Sequence, residues 1–375
     1  MENLSLYIHI PFCESKCYYC NFVSTKATEE EKKKYVDYLI KEIEINSNKD
    51  YLVTSIFIGG GTPSCLKAGE ISRILNAIYN NFVVEANCEI TIECNPNSFT
   101  SLKAEEYKKC KINRISFGLQ SSNNKLLKLI NRVHSKKDFI NAINLARSCG
   151  FNNLSADILL GIPNQKICDV KNTLKLLIKL KINHISCYSL ILEENTKLYK
   201  LVHENKLKLP SEEKTIKMYD LSVDYLKKHR IYRYEVSNFA KKGFECMHNL
   251  TYWNLGNYLG LGLNSHSKIN NIRFENFEGF NDYYEAINKN LKPIKNSYNL
   301  SSGEQKEEFI MLGLRKSAGI NLNDYFNLFN ERLEIVKAKE INFLLKNNFI
   351  HLINDNLMAT DLGFKVLNQI IIRLV

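Results

Sequence analysis

A chain of 375 residues is too long for one ordinary hydrophobic core, and 45% hydrophobic with 24% charged residues is globular composition, which excludes a disordered or fibrous protein. The formal net charge of +11 invites a nucleic-acid partner, but the lysines alternate with glutamates in "EEEKKKYVDYLIKEIE" and "SEEKTIKMYDLSVDYLKKH" and read as solvated faces; no nucleic acid is expected, and contact of a basic face with an anionic membrane surface is the milder reading. No run reaches the roughly 18 apolar residues of a transmembrane segment, and "MENLSLYIHI" lacks the features of a secretory signal, so a cytoplasmic location is expected, where thiols stay free or bind metal.

The first predicted strand is "SLYIHI", followed by Pro11 and a loop that carries Cys13, Cys17 and Cys20. A helix is predicted over Tyr35 to Ile45, then the strand "TSIFIGG" running into Gly59-Gly60-Gly61-Thr62-Pro63. A helix over Ile71 to Ile78 leads to "CEITIEC" with Glu93 at its end, and then to "NRISFGL" with Gln120 after it. A helix over Phe139 to Ala146 precedes "LSADILLG", which holds Asp157, and a helix over Val170 to Leu180 precedes "HISCYSLI". Strands alternating with amphipathic helices at a period of about 30 residues imply βαβ units and a parallel sheet. Six units predict an α/β fold, a partial (β/α)6 barrel, with its chemistry at the carboxyl ends of the strands.

The pattern breaks after Val236. "SNFAKKGFECMHNLTYWNLGNYLGLGLNSHS" reads as irregular, and from Ser301 the chain reads as mainly helical, with a short hairpin in "FIHLINDNLMAT" that makes the C-terminal part resemble a winged helix. The expected divisions are residues 1–236, 237–300 and 301–375.

Eight of the eleven cysteines (Cys65, Cys88, Cys94, Cys110, Cys149, Cys168, Cys187 and Cys246) stand alone in apolar surroundings and are expected as small buried hydrophobes. The other three have the spacing C-x3-C-x2-C with no fourth cysteine or histidine at the usual interval, since His9 lies inside the first strand. A structural zinc site is closed by four ligands. A 4Fe-4S cube also takes four, one per iron. With three from the protein, one iron keeps an open position on which the amino and carboxylate groups of S-adenosylmethionine can chelate.

"YIHIPFCESKCYYC", "IFIGGGTPS", "ITIECNPN", "INRISFGLQS", "LINRVHS" and "LSADILLGIP" together resemble the radical S-adenosylmethionine superfamily, and within it the oxygen-independent coproporphyrinogen oxidase group, over residues 4 to 280. The resemblance implies a 4Fe-4S cluster on Cys13, Cys17 and Cys20. It implies S-adenosylmethionine in contact with Tyr7 and with the Gly60-Gly61 turn, where glycine lets backbone approach a ligand, and with Thr62 beside the methionine portion. Glu93 and Asp157 are expected at ribose hydroxyls or a charged amine, Gln120 as donor and acceptor, and Arg132 as the planar partner of the methionine carboxylate.

That group holds two kinds of protein. The oxidases decarboxylate two propionates of coproporphyrinogen, and in them a further cysteine follows the third after one residue; here that place is Phe22. The HemW type are heme chaperones, and "HNLTYW" matches their H-N-x-x-Y-W signature. The resemblance therefore implies a chaperone that binds heme and passes it to a heme-accepting apoprotein, with no catalytic residue assigned and with a homodimer formed on cluster assembly. His248 is the expected axial ligand of heme iron, with the faces of Tyr252 and Trp253 against the porphyrin; His266, where Asn264-Ser265 replace the family's Gly-Ala, is the poorer candidate. The alternative is an oxidase or other radical enzyme acting on a tetrapyrrole, for which no set of residues to hold four propionates stands out.

Overall fold

The computed structural model describes every residue from Met1 to Val375. Six parallel strands form its centre: β1 (Glu2–Ile10), β2 (Asn48–Gly60), β3 (Phe82–Cys94), β4 (Arg114–Gln120), β5 (Asn153–Leu160) and β6 (His184–Ser189), each beside the next. The connecting helices cover one face. Those predicted from periodicity are present and begin earlier than predicted, as Glu29–Ile45, Glu70–Asn81, Lys136–Ser148 and Ile167–Lys179. The first starts at a capping box, with Thr28 accepting from the Glu31 amide and the Glu31 carboxylate accepting from the Thr28 amide.

The sheet continues beyond these six. On one side β6 pairs with β8 (Asn238–Ala240), itself paired with β7 (Tyr232–Arg233). On the other, β9 (Asn257–Leu261) runs parallel to β1, and β10 (His266–Ile269), β11 (Ile272–Asn276) and β12 (Ile294–Asn299) follow antiparallel. The stretch expected to be irregular is thus ordered, as β8, a helix (Met247–Trp253), β9 and the start of β10. β9 hides in the sequence because Gly260 within it and Gly262 just after it break the apolar pattern. Tight packing requires those glycines: Gly262 has φ +103°, and a Cβ there would press on the Tyr35 hydroxyl and the His9 carbonyl. Leu259, Leu261, Leu263 and Tyr283 belong to the same hydrophobic core as the six parallel strands. One buried carboxylate ties the two together: Glu42, on the first helix, accepts from the Gly262 amide (2.7 Å), the Asn276 side chain (2.6 Å) and the Tyr283 hydroxyl.

The C-terminal part, from helix Ser302–Gly313 onward, has its own core around Leu314, Leu344, Leu357 and Leu374. Its helices surround a small sheet in which β15 (Asn356–Ala359) lies between β13 (Ile320–Asn321) and β14 (Ile350–Ile353), so the predicted hairpin is present. It docks on the strand 7–8 connection: the Val236 amide donates to the Arg315 carbonyl and the Ser317 amide to the Tyr234 carbonyl, both at 2.9 Å. Arg233 lies over the Phe364 ring and pairs with Asp361. No helix is long and apolar enough to cross a membrane.

Of the eight isolated cysteines, Cys65, Cys88, Cys94, Cys187 and Cys246 are buried as expected. Cys110 and Cys149 are half-buried, and Cys168 is exposed, because the buried stripe of its helix runs through Val170, Thr173, Leu174 and Leu177 instead.

Candidate functional site

Successive side chains of a strand point to opposite faces, and this sheet sorts them sharply. Leu6, Ile8, Ile56, Ile58, Ile90, Ile92, Ile115, Phe117 and Ile158 face the helices and form the core. The alternate set faces the concave interior and is mostly polar. Cross-strand register places Tyr7 beside Phe57, Phe57 beside Thr91, Thr91 beside Arg114, Glu93 beside Ser116, and Gly118 beside Asp157, itself next to Ser186. A barrel filled by apolar layers has no room inside; this one has a polar interior and a cavity.

The cysteine loop closes over the carboxyl end. Its two ends are pinned to each other, the Cys13 amide donating to the Thr25 carbonyl and the Thr25 amide to the Pro11 carbonyl. His9 anchors the loop from below: its ring bonds the Val23 carbonyl (3.3 Å) and the Tyr7 hydroxyl (3.2 Å), and burial lowers its pKa to about 4, so it stays neutral. The glycine turn passes beneath. A Cβ on Gly61 would lie 2.5 Å from the Phe12 carbonyl oxygen, and Gly60, at φ +107°, would meet the His9 ring at 2.6 Å. These glycines are therefore demanded first by the chain's own packing under the cysteine loop, and only secondarily by room for a ligand.

A cavity of about 600 Å³ opens here, and it gathers Cys13, Cys17, Cys20, Gly60, Gly61, Thr62, Glu93, Gln120, Arg132 and Asp157. Asp157 lies within β5 rather than at its end. The Thr62 hydroxyl is 3.4 Å from the Cys13 sulfur. Arg132 donates to the Cys17 sulfur (3.3 Å), the Gly118 carbonyl (2.7 Å) and the Asn95 side chain, leaving Nε without a partner. Glu93 accepts from the Gly60 amide (3.2 Å); burial, with the Asp157 charge beside it, raises its pKa to about 8. Burial also raises Asp157, opposed by hydrogen bonds from Ser186 and Ser116 and by the Arg114 charge. No three His, Cys, Asp or Glu groups converge tightly enough to hold a single ion, the three thiols included. Ligands of a cluster each serve a different iron and stand further apart than those of one zinc ion, so three free thiols along one cavity wall fit the cluster better.

Tyr7 lies deeper, in a second compartment of about 230 Å³ with Phe57, Arg114, Ser186 and Asn249. It shares Phe22, Gly60, Glu93, Ser116, Asp157 and Tyr188 with the larger cavity and continues it toward the barrel floor. Arg114, Ser116, Tyr188 and Asn249 escaped the sequence reading. The signal for Arg114 and Ser116 was available, since they share a strand face with Gly118.

His248, Tyr252 and Trp253 line neither compartment. Their helix closes the floor, with Glu89 accepting from the Met247 and His248 amides at 3.1 Å each. His248 is 1% exposed and its ring stacks on Phe57 at 5.2 Å. Both its nitrogens are engaged, Nδ1 with the Ser55 hydroxyl (2.9 Å) and Nε2 with the Tyr252 hydroxyl (2.8 Å). Thr251 donates to the Met247 carbonyl and Ser55 to Ser5, so the tautomer assigned from this chain puts the proton on Nδ1 and leaves Nε2 accepting from Tyr252. Burial, helped by the Arg114 charge, lowers the His248 pKa to about 3. Tyr252 packs edge-on against Tyr258. The Trp253 indole N–H has no partner. The member of "HNLTYW" that reaches the cavity is Asn249. His266 is exposed, 3.7 Å from Glu275.

Comparison with known proteins bears on this arrangement. Residues 7–177 match the Radical SAM superfamily, and residues 300–366 match the HemN C-terminal domain. The chain is 34% identical to the heme chaperone HemW of Lactococcus lactis, over 98% of this chain and 96% of that one. It is 32% identical to the heme chaperone HemW of Bacillus subtilis, over 98% and 97%. To the mitochondrial radical S-adenosyl methionine domain-containing protein 1 of Danio rerio it is 30% identical, over 98% and 86%. Among solved structures, the coproporphyrinogen III oxidase HemN of Escherichia coli, a radical SAM enzyme, superposes with a TM-score of 0.87 at 21% identity, covering 100% of this chain and 90% of that one, which establishes a common fold.

Proposed function

The chain belongs to the radical S-adenosylmethionine superfamily and, within it, to the HemW heme chaperones, and from that footing we propose that it holds a 4Fe-4S cluster on Cys13, Cys17 and Cys20, binds S-adenosylmethionine beside it, and carries heme to an acceptor apoprotein. The observation that carries this reading is the single cavity in which three free thiols meet Gly60, Gly61, Thr62, Glu93, Gln120, Arg132 and Asp157. A cluster ligated at three irons supplies an open coordination position and a source of one electron. The protein's own groups do the rest. Glu93, protonated near neutral pH, can donate a hydrogen bond where Asp157 accepts one. Arg132 has its fork committed to Asn95 and Gly118, and a methionine carboxylate exchanges with one of these partners at small cost because both kinds of bond are charge-assisted. Tyr7 acts from the deeper compartment.

For heme, the folded chain offers no free nitrogen on His248, and iron reaches it only if the Tyr252 hydroxyl withdraws. Apolar surface instead surrounds the cavity mouth, where Phe22 is 66% exposed at the place where the oxidases carry a cysteine. That residue favours the carrier over the oxidase. A reducing, cytoplasmic setting and assembly of a homodimer with the cluster belong to the same proposal.

The test is anaerobic reconstitution with iron, sulfide, S-adenosylmethionine and hemin, followed by incubation with coproporphyrinogen. About four irons per chain, one hemin and no decarboxylated product are expected. Steady turnover of coproporphyrinogen overturns the chaperone reading.

A further inference from the structure

We propose that the compartment beneath the cofactor cavity is a carboxylate-binding subsite built on Arg114, receiving one propionate arm of a tetrapyrrole whose ring lies across the cavity mouth. The occupant rests on the heme reading above; the subsite rests on the barrel interior itself.

Arg114 is 2% exposed, and its guanidinium forms no ion pair or hydrogen bond with the protein; even Nε is unpartnered. Arg132, half-buried in the same interior, is satisfied on both terminal nitrogens, although its Nε too has no partner. An unpaired buried cation is costly and persists where something else completes it. The nearby carboxylates do not: Glu89 accepts from the amides of Met247 and His248, Asp157 from Ser116 and Ser186, and Glu93 from the Gly60 amide, and none of them bonds the guanidinium. Glu89 and Asp157 balance the charge at a distance and leave the planar fork open. A planar fork of N–H donors matches a carboxylate in two parallel hydrogen bonds. Asn249, on the wall of the same compartment, adds an amide.

Size and the rim point to the same ligand. A compartment of about 230 Å³ takes a short carboxylate arm and not a macrocycle. Its upper end opens at Phe22 and Tyr188, which with Ile191 are 66%, 42% and 70% exposed around the mouth. A flat apolar ring covers such a rim at a gain from buried area. Lys16, exposed on the same rim, leaves a cation for a second propionate.

The experiment compares hemin with hemin dimethyl ester, read by the Soret band, on the reconstituted full chain and on Arg114→Gln and Arg114→Lys. A charge-assisted pair predicts that the wild type prefers hemin by roughly ten-fold or more, that Arg114→Gln loses this preference, that Arg114→Lys keeps part of it, and that affinity for S-adenosylmethionine is unchanged. Equal affinity of the wild type for hemin and its ester overturns the subsite whatever the variants do, so a failure of the variants to fold does not shield it. A preference undiminished in folded Arg114→Gln also overturns it. Loss of S-adenosylmethionine binding with the ester preference intact assigns the arginine to that cofactor, again against the proposal. Absence of hemin binding by the wild type removes the chaperone reading and the tetrapyrrole occupant together, an outcome distinct from equal binding of both compounds.

Discussion

Cys13, Cys17 and Cys20 have no partner of comparable strength in the protein, so replacing any one by Ser is expected to leave the fold intact and to strip or destabilise the cluster. Iron and acid-labile sulfide analysis of anaerobically prepared protein checks this, and four irons per chain retained in all three variants sinks the cluster assignment. His248 presents the opposite case. It is locked from both sides and packed on Phe57, so His248→Ala opens a cavity and orphans the Ser55 and Tyr252 hydroxyls. A loss of about 2–4 kcal/mol in chemical denaturation is expected, with the Soret band of the folded fraction unchanged. A Soret band abolished in a variant as stable as the wild type makes His248 an iron ligand instead.

Between elements, close approach and buried polar contacts decide what the chain tolerates. Gly61 lies so near the carbonyl oxygens of Ile10 and Phe12 that Gly61→Ala must displace the cysteine loop from β2. Reconstitution of this variant is expected to give less than half the wild-type iron, although no ligand is touched; full loading shows that the loop yields. Glu42 joins the first helix to β9 and β11. Burial, partly offset by its three donors, raises its pKa from 4.5 to about 7. The folded state thus holds this proton more tightly than the unfolded chain. The associated stability is fully present below pH 4.5 and is lost as pH rises through 7, a change of about 3 kcal/mol at most. Glu42→Gln removes this dependence but presents an amide where donors converge, so lower stability and a flatter pH profile are expected together from urea titrations between pH 5 and 8. An unchanged profile excludes Glu42 as its source.

At the scale of the molecule, one continuous sheet supports the cavity and a separately cored C-terminal unit rests against its β7–β8 edge. Arg233 bridges the two by lying over Phe364 and pairing with the exposed Asp361. Exposure discounts the ion pair, so Arg233→Ala is expected to cost about 1–2 kcal/mol, mostly through the lost stacking. Limited proteolysis should then cut faster near residue 300, and protection equal to the wild type shows that the backbone bonds at Val236 and Ser317 suffice.

The amino-acid sequence by itself determined the six parallel strands, the cysteine loop and the glycine turn, because strand alternation and motif spacing are local properties, written within a few residues of each other; the family resemblance it carries named eleven candidate residues for a cluster and S-adenosylmethionine, ten of which line one cavity. It also carried family membership. Only the tertiary structure decided that the stretch after Val236 extends the sheet, that the glycines serve the chain's own packing, that Tyr7 belongs to a deeper compartment, and that His248 is sealed by Ser55 while Asn249 faces the cavity. Each of these depends on which groups meet across separations of tens to hundreds of residues. A buried histidine or arginine reads the same in sequence whether its polar atoms are satisfied by distant neighbours or left open for a ligand.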